Sequence, residues 1–243
     1  MVNSADPAAV FRALHHDRAP GDALVLPGPW DAASARVFEE AGFPALATPS
    51  AGVAASLGHE DGSTPADEMF AAVRRIVRAV SVPVSADIEG GYGLPPKELV
   101  ERLLETGAVG CNLEDSGPDG TLDDPAEQAS RLAEVRAAAG DRLFLNARVD
   151  PFIRGAADPV AEAVARARLY VAAGADCVYP IGAPADALPR LRAEIEGPIN
   201  VGAPPGGPSL QEWGALGATR ITFGPGLQRR ATAALREIAA ELR

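Results

Sequence analysis

Lysine is nearly absent from this chain of 243 residues, in which Lys97 is the single lysine among 22 basic residues. Schiff-base aldolases and pyridoxal enzymes need a lysine aimed at the substrate. Lys97 lies in the segment PPKELV, at the start of a predicted helix, where a solvated surface lysine is expected. The sequence therefore argues against imine chemistry.

Histidine and cysteine are also scarce. The histidines are His15, His16 and His59, and the first two lie in a polar N-terminal stretch, which argues against a three-histidine metal site. Cys111 and Cys177 lie in apolar, strand-like runs without the spacing of zinc ligands. We expect two buried reduced thiols rather than a disulfide, and this agrees with an intracellular chain.

Long apolar runs are missing, since no stretch of about 18 apolar residues is present to span a membrane. The first residues, MVNSADPAAV, do not have the basic and apolar regions of a signal peptide, so we expect a cytoplasmic protein. The net charge of −11 argues against a nucleic-acid partner. It still permits a small anionic substrate, because the local field at a site can oppose the overall sign.

Short apolar runs alternate with amphipathic segments of helical period along the whole chain. The predicted strands are 23–28, 44–48, 82–87, 108–114, 142–148, 176–180, 198–201 and 219–224. The predicted helices are 31–41, 65–80, 95–106, 125–139, 158–173, 185–194, 208–216 and 226–242. Eight such units in one chain of this length predict a single-domain α/β protein, a (β/α)₈ TIM barrel, after a short lead-in over about residues 1–22.

Polar residues stand at the predicted ends of neighbouring strands, where a barrel of this kind carries its catalytic groups. Strand 3 ends in Asp87, strand 4 in Glu114, strand 5 in Asn146 and Arg148, and strand 7 in Asn200. Because strand side chains alternate, such residues fit positions facing the barrel mouth. Carboxylates that converge there repel one another unless a cation or proton intervenes, and oxygen ligands suit Mg²⁺ or Mn²⁺. The alternative is that Asp87 and Glu114 cap helices or pair with arginines.

The segment after strand 2, ATPSAGVAASLGHED, is rich in small residues. Amide groups around Ser50–Gly52 could cradle an oxyanion, and Asp61 could reach a metal through water or act as a base. Tyr92 and Gly93, in the GGYG stretch, are further candidates, although such glycines also serve as simple turns. The stretch FGPGL, 223–227, is either a phosphate-binding loop or a turn.

Together these segments resemble the isocitrate lyase/phosphoenolpyruvate mutase superfamily. The matching segments are PGPWDAASARVFEEAGF, SAGVAASLGHED, PVSADIEGGYG, GAVGCNLED, NARVDPF and YVAAGADCVY. The run Asp87–Gly93 and the Glu-Asp pair at 114–115 are specific in combination.

The resemblance implies a Mg²⁺ site at Asp87 with Glu89, Glu114 and Asp61 nearby, partly through water. It also implies that Arg148 binds the substrate carboxylate. The substrate-binding candidates are Ser50, Ala51, Gly52, Trp30, Asp31, Tyr92, Gly93 and Asn200. Relatives form oligomers, so the resemblance implies a homodimer or homotetramer.

Departures from the family pattern narrow the expected reaction. The family usually has Asp where this chain has Glu89, and the loop 115–125, DSGPDGTLDDP, contains no cysteine, lysine or histidine. The lyases of this superfamily have a catalytic cysteine in that loop, and the mutases have a lysine and an asparagine. Ile181 stands where mutases tend to have histidine and lyases glutamate. The metal centre is kept while the acid/base loop is rebuilt.

The sequence therefore predicts a Mg²⁺-dependent lyase that cleaves a C–C bond beside a 2-oxo or 2-hydroxy carboxylate through an enolate. Oxaloacetate decarboxylation is favoured because it needs little proton transfer, and a malate- or isocitrate-type cleavage stays open. One alternative is an enzyme of carbon–phosphorus bonds, against which the few basic residues expected around the rebuilt loop argue. The other is a non-catalytic relative that binds a 2-oxo acid.

Overall fold

The computed structural model describes residues 6–16, 18–117 and 119–243. In these residues eight short parallel strands alternate with helices. The strands are β1 (Leu24–Val25), β2 (Leu46–Ala47), β3 (Val84–Asp87), β4 (Gly110–Leu113), β5 (Phe144–Val149), β6 (Cys177–Pro180), β7 (Asn200–Gly202) and β8 (Arg220–Thr222). Each lies within one predicted strand or overlaps it to within a residue or two.

The strands follow one another around a closed barrel. Parallel ladders join each strand from β2 to β6 to the next one in chain order. Parallel ladders also join β7 to β8 and β8 to β1. The bridge Val178–Ile199 links β6 to β7, and the Ala47 amide donates to the Pro27 carbonyl at 3.2 Å, which links β2 to the end of β1. The predicted (β/α)₈ barrel is confirmed.

The helices of the described residues surround the strands. They are α1 (Pro7–His16), α2 (Ala32–Glu40), α3 (Ser50–Leu57), α4 (Ala66–Val77), α5 (Pro96–Thr106), α6 (Pro125–Ala139), α7 (Pro159–Ala172), α8 (Leu188–Glu194), α9 (Leu210–Ala215) and α10 (Gly226–Glu241). None of them is both long enough and apolar enough to cross a bilayer. Cys111 and Cys177 are buried free thiols, as expected.

Two helices, α1 and α3, were not predicted. Residues 1–22 were treated as a lead-in, yet α1 closes the amino-terminal end of the barrel, where Phe11 and His15 are buried. Residues 1–5 and Asp17 of that lead-in lie outside the described residues. The His15 ring stacks on Phe144, the first residue of β5, with 4.0 Å between ring centroids. These contacts make α1 a part of the barrel core.

His15 gives the fold a measurable pH dependence. Burial, together with the charge of Arg220, lowers the pKa of His15 from 6.5 to about 3, and its Nε2 has no partner among the described residues. Between pH 3 and pH 6.5 the imidazole of His15 is protonated in the unfolded chain and neutral in the folded chain. The contribution of His15 to stability therefore falls as pH falls, by about 1.4 kcal/mol per unit.

We expect His15→Phe to remove this dependence, because phenylalanine keeps the stacking and cannot titrate. The free energy of unfolding of both proteins can be measured by urea denaturation. Between pH 7.5 and 4.5 the wild type should lose about 2–3 kcal/mol of stability relative to the variant. A difference that is the same at both pH values would contradict the assignment.

Candidate active site

The polar residues at the carboxyl ends of the strands line a cavity of about 560 Å³. Its lining residues are Ser50, Asp61, Gly62, Glu89, Gly90, Tyr92, Gly93, Glu114, Ser116, Gly117, Asp123, Arg131, Arg148 and Arg154. A smaller cavity of about 100 Å³ shares Ser50, Asp61 and Arg148 with it and also contains Asp87. Asp87, Glu114 and Arg148, at three of the strand ends that the sequence predicted as a site, thus line these two adjoining cavities.

Asp87, the last residue of β3, is held by the segment after β2. Its Oδ2 accepts hydrogen bonds from the Ser50 hydroxyl at 2.9 Å and from the Ser50 amide at 3.3 Å. Its own amide donates to Thr48 Oγ1 at 3.2 Å. Register and these bonds fix the position of the Asp87 carboxylate at the mouth of the barrel.

The residues Ser50–Gly52 form the first turn of α3 rather than an open loop. First-turn amides have no intrahelical partners, so they can still donate to oxygen atoms. The Ser50 amide bonds to Asp87 and Ala51 lines the smaller cavity. Gly52 packs behind them, where an added Cβ would lie 2.9 Å from Pro49 Cγ, and it lines neither cavity.

Burial and mutual repulsion disfavour ionisation of the cavity carboxylates. Burial raises the pKa of Glu114 to about 8 against the opposing charge of Arg148, and burial with the charge of Asp87 raises that of Glu89 to about 7. The pKa of Asp61 is raised by the same two causes. Glu89 adopts a left-handed backbone with φ of 53°, and its Oε1 is buried without a hydrogen-bond partner among the described residues.

These oxygen donors fit a hard divalent cation in their chemistry, because such an ion would relieve the repulsion and satisfy the orphaned Glu89 oxygen. They do not form a ready-made ligand set. Within the described ranges no three such side chains are grouped closely enough to hold one ion. Glu114 instead pairs with Arg148, and Asp87 accepts a hydrogen bond from Ser50.

Arg148 is fixed by two carboxylates. Its Nε and Nη2 donate to the two oxygens of Asp150, each at 2.7 Å, and its Nη1 pairs with Glu114. Burial alone would lower the pKa of Arg148, but Asp150 and Glu114 outweigh it and the pKa is raised. The arginine is a permanent cation in the wall of the cavity.

The Glu-Asp pair after β4 separates into two roles. Glu114 faces the cavity, whereas Asp115 is fully buried and accepts from Tyr170 at 2.8 Å and from Arg166 at 3.1 Å. Asp115 also accepts from the amide of Asp150 at 2.9 Å. Asp115 thereby anchors the segment that holds Arg148.

Three further predicted residues do not line the cavity. Asp31 accepts from the Ser34 amide at 2.7 Å and caps α2, so its carboxylate is already used. Trp30 lies in a separate surface groove with Leu227. Asn200 is completely buried and bonds to Thr222 at 3.2 Å. Tyr92 and Gly93 do line the cavity.

Sequence comparison identifies the chain. The family model for phosphoenolpyruvate phosphomutase matches residues 11–243. The chain belongs to this family, and with it to the isocitrate lyase/phosphoenolpyruvate mutase superfamily.

Two curated relatives illustrate the range of this family. An uncharacterized protein of Mycobacterium tuberculosis is 35% identical over 216 residues, covering 88% of this chain and 81% of the relative. An oxaloacetate decarboxylase of Rhodopseudomonas palustris is 31% identical over 218 residues, covering 83% and 73%.

Two solved structures share the fold. A candidate phosphonomutase from Burkholderia cenocepacia is 39% identical with a TM-score of 0.90, covering 97% of this chain and 99% of that one. An oxaloacetate acetylhydrolase in complex with its product oxalate is 25% identical with a TM-score of 0.88, covering 98% and 87%. The superfamily thus acts on C–C and C–P bonds, as lyases, hydrolases and mutases.

The loop that carries the family's acid/base residues is a tight hairpin in this member. Ser116 and Leu122 form an antiparallel bridge. Pro118, which lies between them in the sequence, is outside the described residues. The Gly117 amide donates to Thr121 at 2.9 Å. Asp124 then caps α6. The segment whose sequence departs from the family pattern is thus closed by the Ser116–Leu122 bridge and leads directly into α6.

Two arginines of the cavity, Arg131 and Arg154, were not among the predicted site residues. The prediction of few basic residues around the rebuilt loop was therefore wrong. Arg131 belongs to α6, and Arg154 follows β5 by five residues. The segment PFIRG after β5 contained a usable signal, since loops after strands form this face.

Proposed function

We propose that this chain is a lyase-type enzyme, dependent on Mg²⁺ or Mn²⁺, that cleaves a C–C bond beside a 2-oxo or 2-hydroxy carboxylate. The observation that carries the proposal is the meeting of Asp61, Glu89, Glu114 and Arg148 in one cavity, next to Asp87. The oxaloacetate-processing relatives support the substrate class.

The metal would be held by Asp87 and Glu89, with Glu114 and Asp61 contributing directly or through water. When bound, the ion would withdraw electrons from the 2-oxo acid and stabilise the negative charge that develops as the C–C bond breaks. To contact the ion directly, Glu114 would have to give up its ion pair with Arg148. Their direct contact puts both groups within reach of the same ligand.

Arg148 would bind the substrate carboxylate. A guanidinium fork matches two carboxylate oxygens, and Asp150 holds it in a fixed orientation. The first-turn amides of α3, at Ser50 and Ala51, would donate to oxygens that become negative in the reaction. Asp61, whose raised pKa suits proton transfer, would act as the base. Tyr92 and Gly93 would bound the substrate.

The rebuilt hairpin favours a reaction with little proton transfer, such as decarboxylation of an oxaloacetate-like acid. A malate-type cleavage, with Asp61 as base, uses the same groups. A carbon–phosphorus reaction is the second candidate, and it is favoured by two observations: the cavity arginines Arg131 and Arg154, and the phosphonomutase-like structure. A non-catalytic binder is the third.

Turnover of a panel of acids distinguishes these candidates. We expect loss of oxaloacetate or of a substituted malate in the presence of Mg²⁺, with the rate abolished by a chelator and restored by Mg²⁺ or Mn²⁺. Product analysis by NMR would identify the bond that is broken. Turnover of phosphonopyruvate alone would replace the proposal by the second candidate, and tight binding without turnover by the third.

We also propose that the protein acts as a homodimer or homotetramer. The last helix, α10, buries none of its side chains. Its apolar residues Leu235 and Ile238 are exposed, at 64% and 53%, as is Leu242 just after it. Such a face on a barrel helix is suited to a second copy of the chain.

A further inference from the structure

Three arginines line the cavity, and they differ in how their charge is balanced. Arg148 is neutralised by Asp150 and Glu114. Arg154 shares the Asp150 carboxylate with Arg148, at 3.9 Å, and Arg131 has no ion pair among the described residues. The charges of Arg131 and Arg154 are therefore less fully balanced than the charge of Arg148.

Arg131 makes no hydrogen bond and no ion pair within the part of the chain that the structure describes. Its Nη2 is completely shielded from solvent and has no partner there. Burial lowers the pKa of Arg131, and the charge of Asp123, which lines the same cavity, opposes this shift without cancelling it. A partly buried cation with an unpartnered nitrogen is unfavourable, and an anionic ligand in the cavity would supply further compensating charge.

Gly91 makes room for this guanidinium. The residue has a φ of +82°, and a Cβ added to it would lie 2.6 Å from Arg131 Nη2. Gly91 therefore packs directly against the guanidinium of Arg131, and its neighbours Gly90, Tyr92 and Gly93 line the same cavity as Arg131. This gives the glycine-rich stretch a definite role in positioning Arg131.

Arg154 is held by a hydroxyl group. Its Nε and Nη2 donate to Ser116 Oγ at 3.2 and 2.9 Å, and Ser116 in turn donates to Asp150 at 2.6 Å. The Asp150 carboxylate lies 3.9 Å from Arg154 Nε and is already engaged by Arg148. One carboxylate thus serves two arginines, and the charge of Arg154 is only partly balanced.

We propose that Arg131 and Arg154 form a subsite for a second anionic group, a carboxylate or a phosphonate, at the distal end of the substrate. The inference rests on the proposed function, in which Arg148 and the carboxylate cluster bind the 2-oxo acid end. The enzyme would accordingly prefer dianionic acids over monoanionic acids of the same length.

Calorimetric binding in the presence of Mg²⁺ tests the subsite without relying on turnover. The probes are 2-oxoglutarate and 2-oxopentanoate, which have the same chain length and differ by the distal carboxylate, with phosphonopyruvate as the phosphonate probe. We expect wild type to bind 2-oxoglutarate or phosphonopyruvate at least about tenfold more tightly than 2-oxopentanoate, the gain of one charge-assisted contact. The tighter of the two dianions identifies the distal group.

Arg131→Met and Arg154→Met should each reduce this preference to about twofold and leave 2-oxopentanoate binding unchanged, because each removes a charge-assisted contact to the distal group alone. Arg190→Met, which removes the same charge from an exposed position on α8, should leave the preference intact. Equal binding of all three acids by wild type, or a preference that both cavity variants retain, would overturn the subsite.

The outcomes separate the subsite from the proposed function. A preference for dianions without turnover of any acid leaves the subsite standing and removes the lyase proposal. Mg²⁺-dependent turnover with equal binding of monoanions and dianions removes the subsite and leaves the lyase proposal standing.

Discussion

Asp87→Ala is expected to reduce Mg²⁺-dependent turnover by at least about 10³-fold, the scale of loss when a main ligand of a catalytic cation is removed. Asp87 stands at the end of β3, and Ser50 and Thr48 fix it from the neighbouring segment. Loss of the carboxylate removes the negative charge that lies beside the first turn of α3, in the smaller of the two adjoining cavities. We expect affinity for Mg²⁺ to fall together with kcat/KM.

Three measurements check this result: kcat/KM at high Mg²⁺, calorimetric titration with Mg²⁺, and the thermal midpoint. Asp87→Asn retains a hydrogen-bond acceptor for Ser50 and loses the charge, so it should fold and still be inactive. Asp67→Ala removes an exposed carboxylate that pairs with Arg102 and serves as the matched control. Unchanged turnover and metal affinity in a folded Asp87→Asn would remove Asp87 from the metal site.

Arg148→Lys is expected to lower kcat/KM by about 10²- to 10³-fold through loss of substrate binding. A lysine keeps the positive charge near Asp150 but does not provide the fork that holds two oxygens. Arg148→Ala is a harsher change. It leaves the completely buried Asp150 without its main partner, which costs about 3–5 kcal/mol of stability.

The lysine variant therefore separates binding from folding. Its thermal midpoint should stay near that of wild type, while affinity for oxalate, measured by calorimetry, should fall in parallel with kcat/KM. A folded Arg148→Lys with wild-type kcat/KM and oxalate affinity would remove the proposed contact with the substrate carboxylate.

The residues at the strand ends could be predicted because the local sequence shows both the alternation of polar and apolar residues and the repeated strand–helix units of a parallel sheet. The polar residues of VSAD, CNLE and NAR occupy every second position, and parallel strands bring their carboxyl ends to one face. Asp87, Glu114 and Arg148 therefore lie close together, as the sequence predicts.

The residues that sequence reasoning misplaced depend on tertiary contacts. The run SAGVAASL has small side chains, and its N-cap residue, Pro49, provides no side-chain cap, so the sequence does not predict the helix α3. The N-terminal stretch, which the sequence analysis describes as polar, is helical because Phe11 and His15 pack against Phe144 at the amino-terminal end of the barrel. Asp31 has a purely local role, and the pattern Asp-x-x-Ser before a helical run is a recognisable cap.

Arg131 could not be placed from sequence, because its guanidinium reaches the cavity only where Gly91 leaves space for it. Arg131 and Gly91 are 40 positions apart along the chain. No local pattern reports such a contact. Packing between the glycine-rich stretch and α6 decides it.

Anomalous diffraction from crystals soaked with Mn²⁺ and oxalate would show whether a divalent cation and a 2-oxo acid bind together between the carboxylate cluster and Arg148. We expect one Mn²⁺ peak ligated by Asp87 or Glu89, with oxalate bound both to the ion and to Arg148. A Mn²⁺ peak away from these carboxylates, or oxalate bound without contact to Arg148, would contradict this expectation.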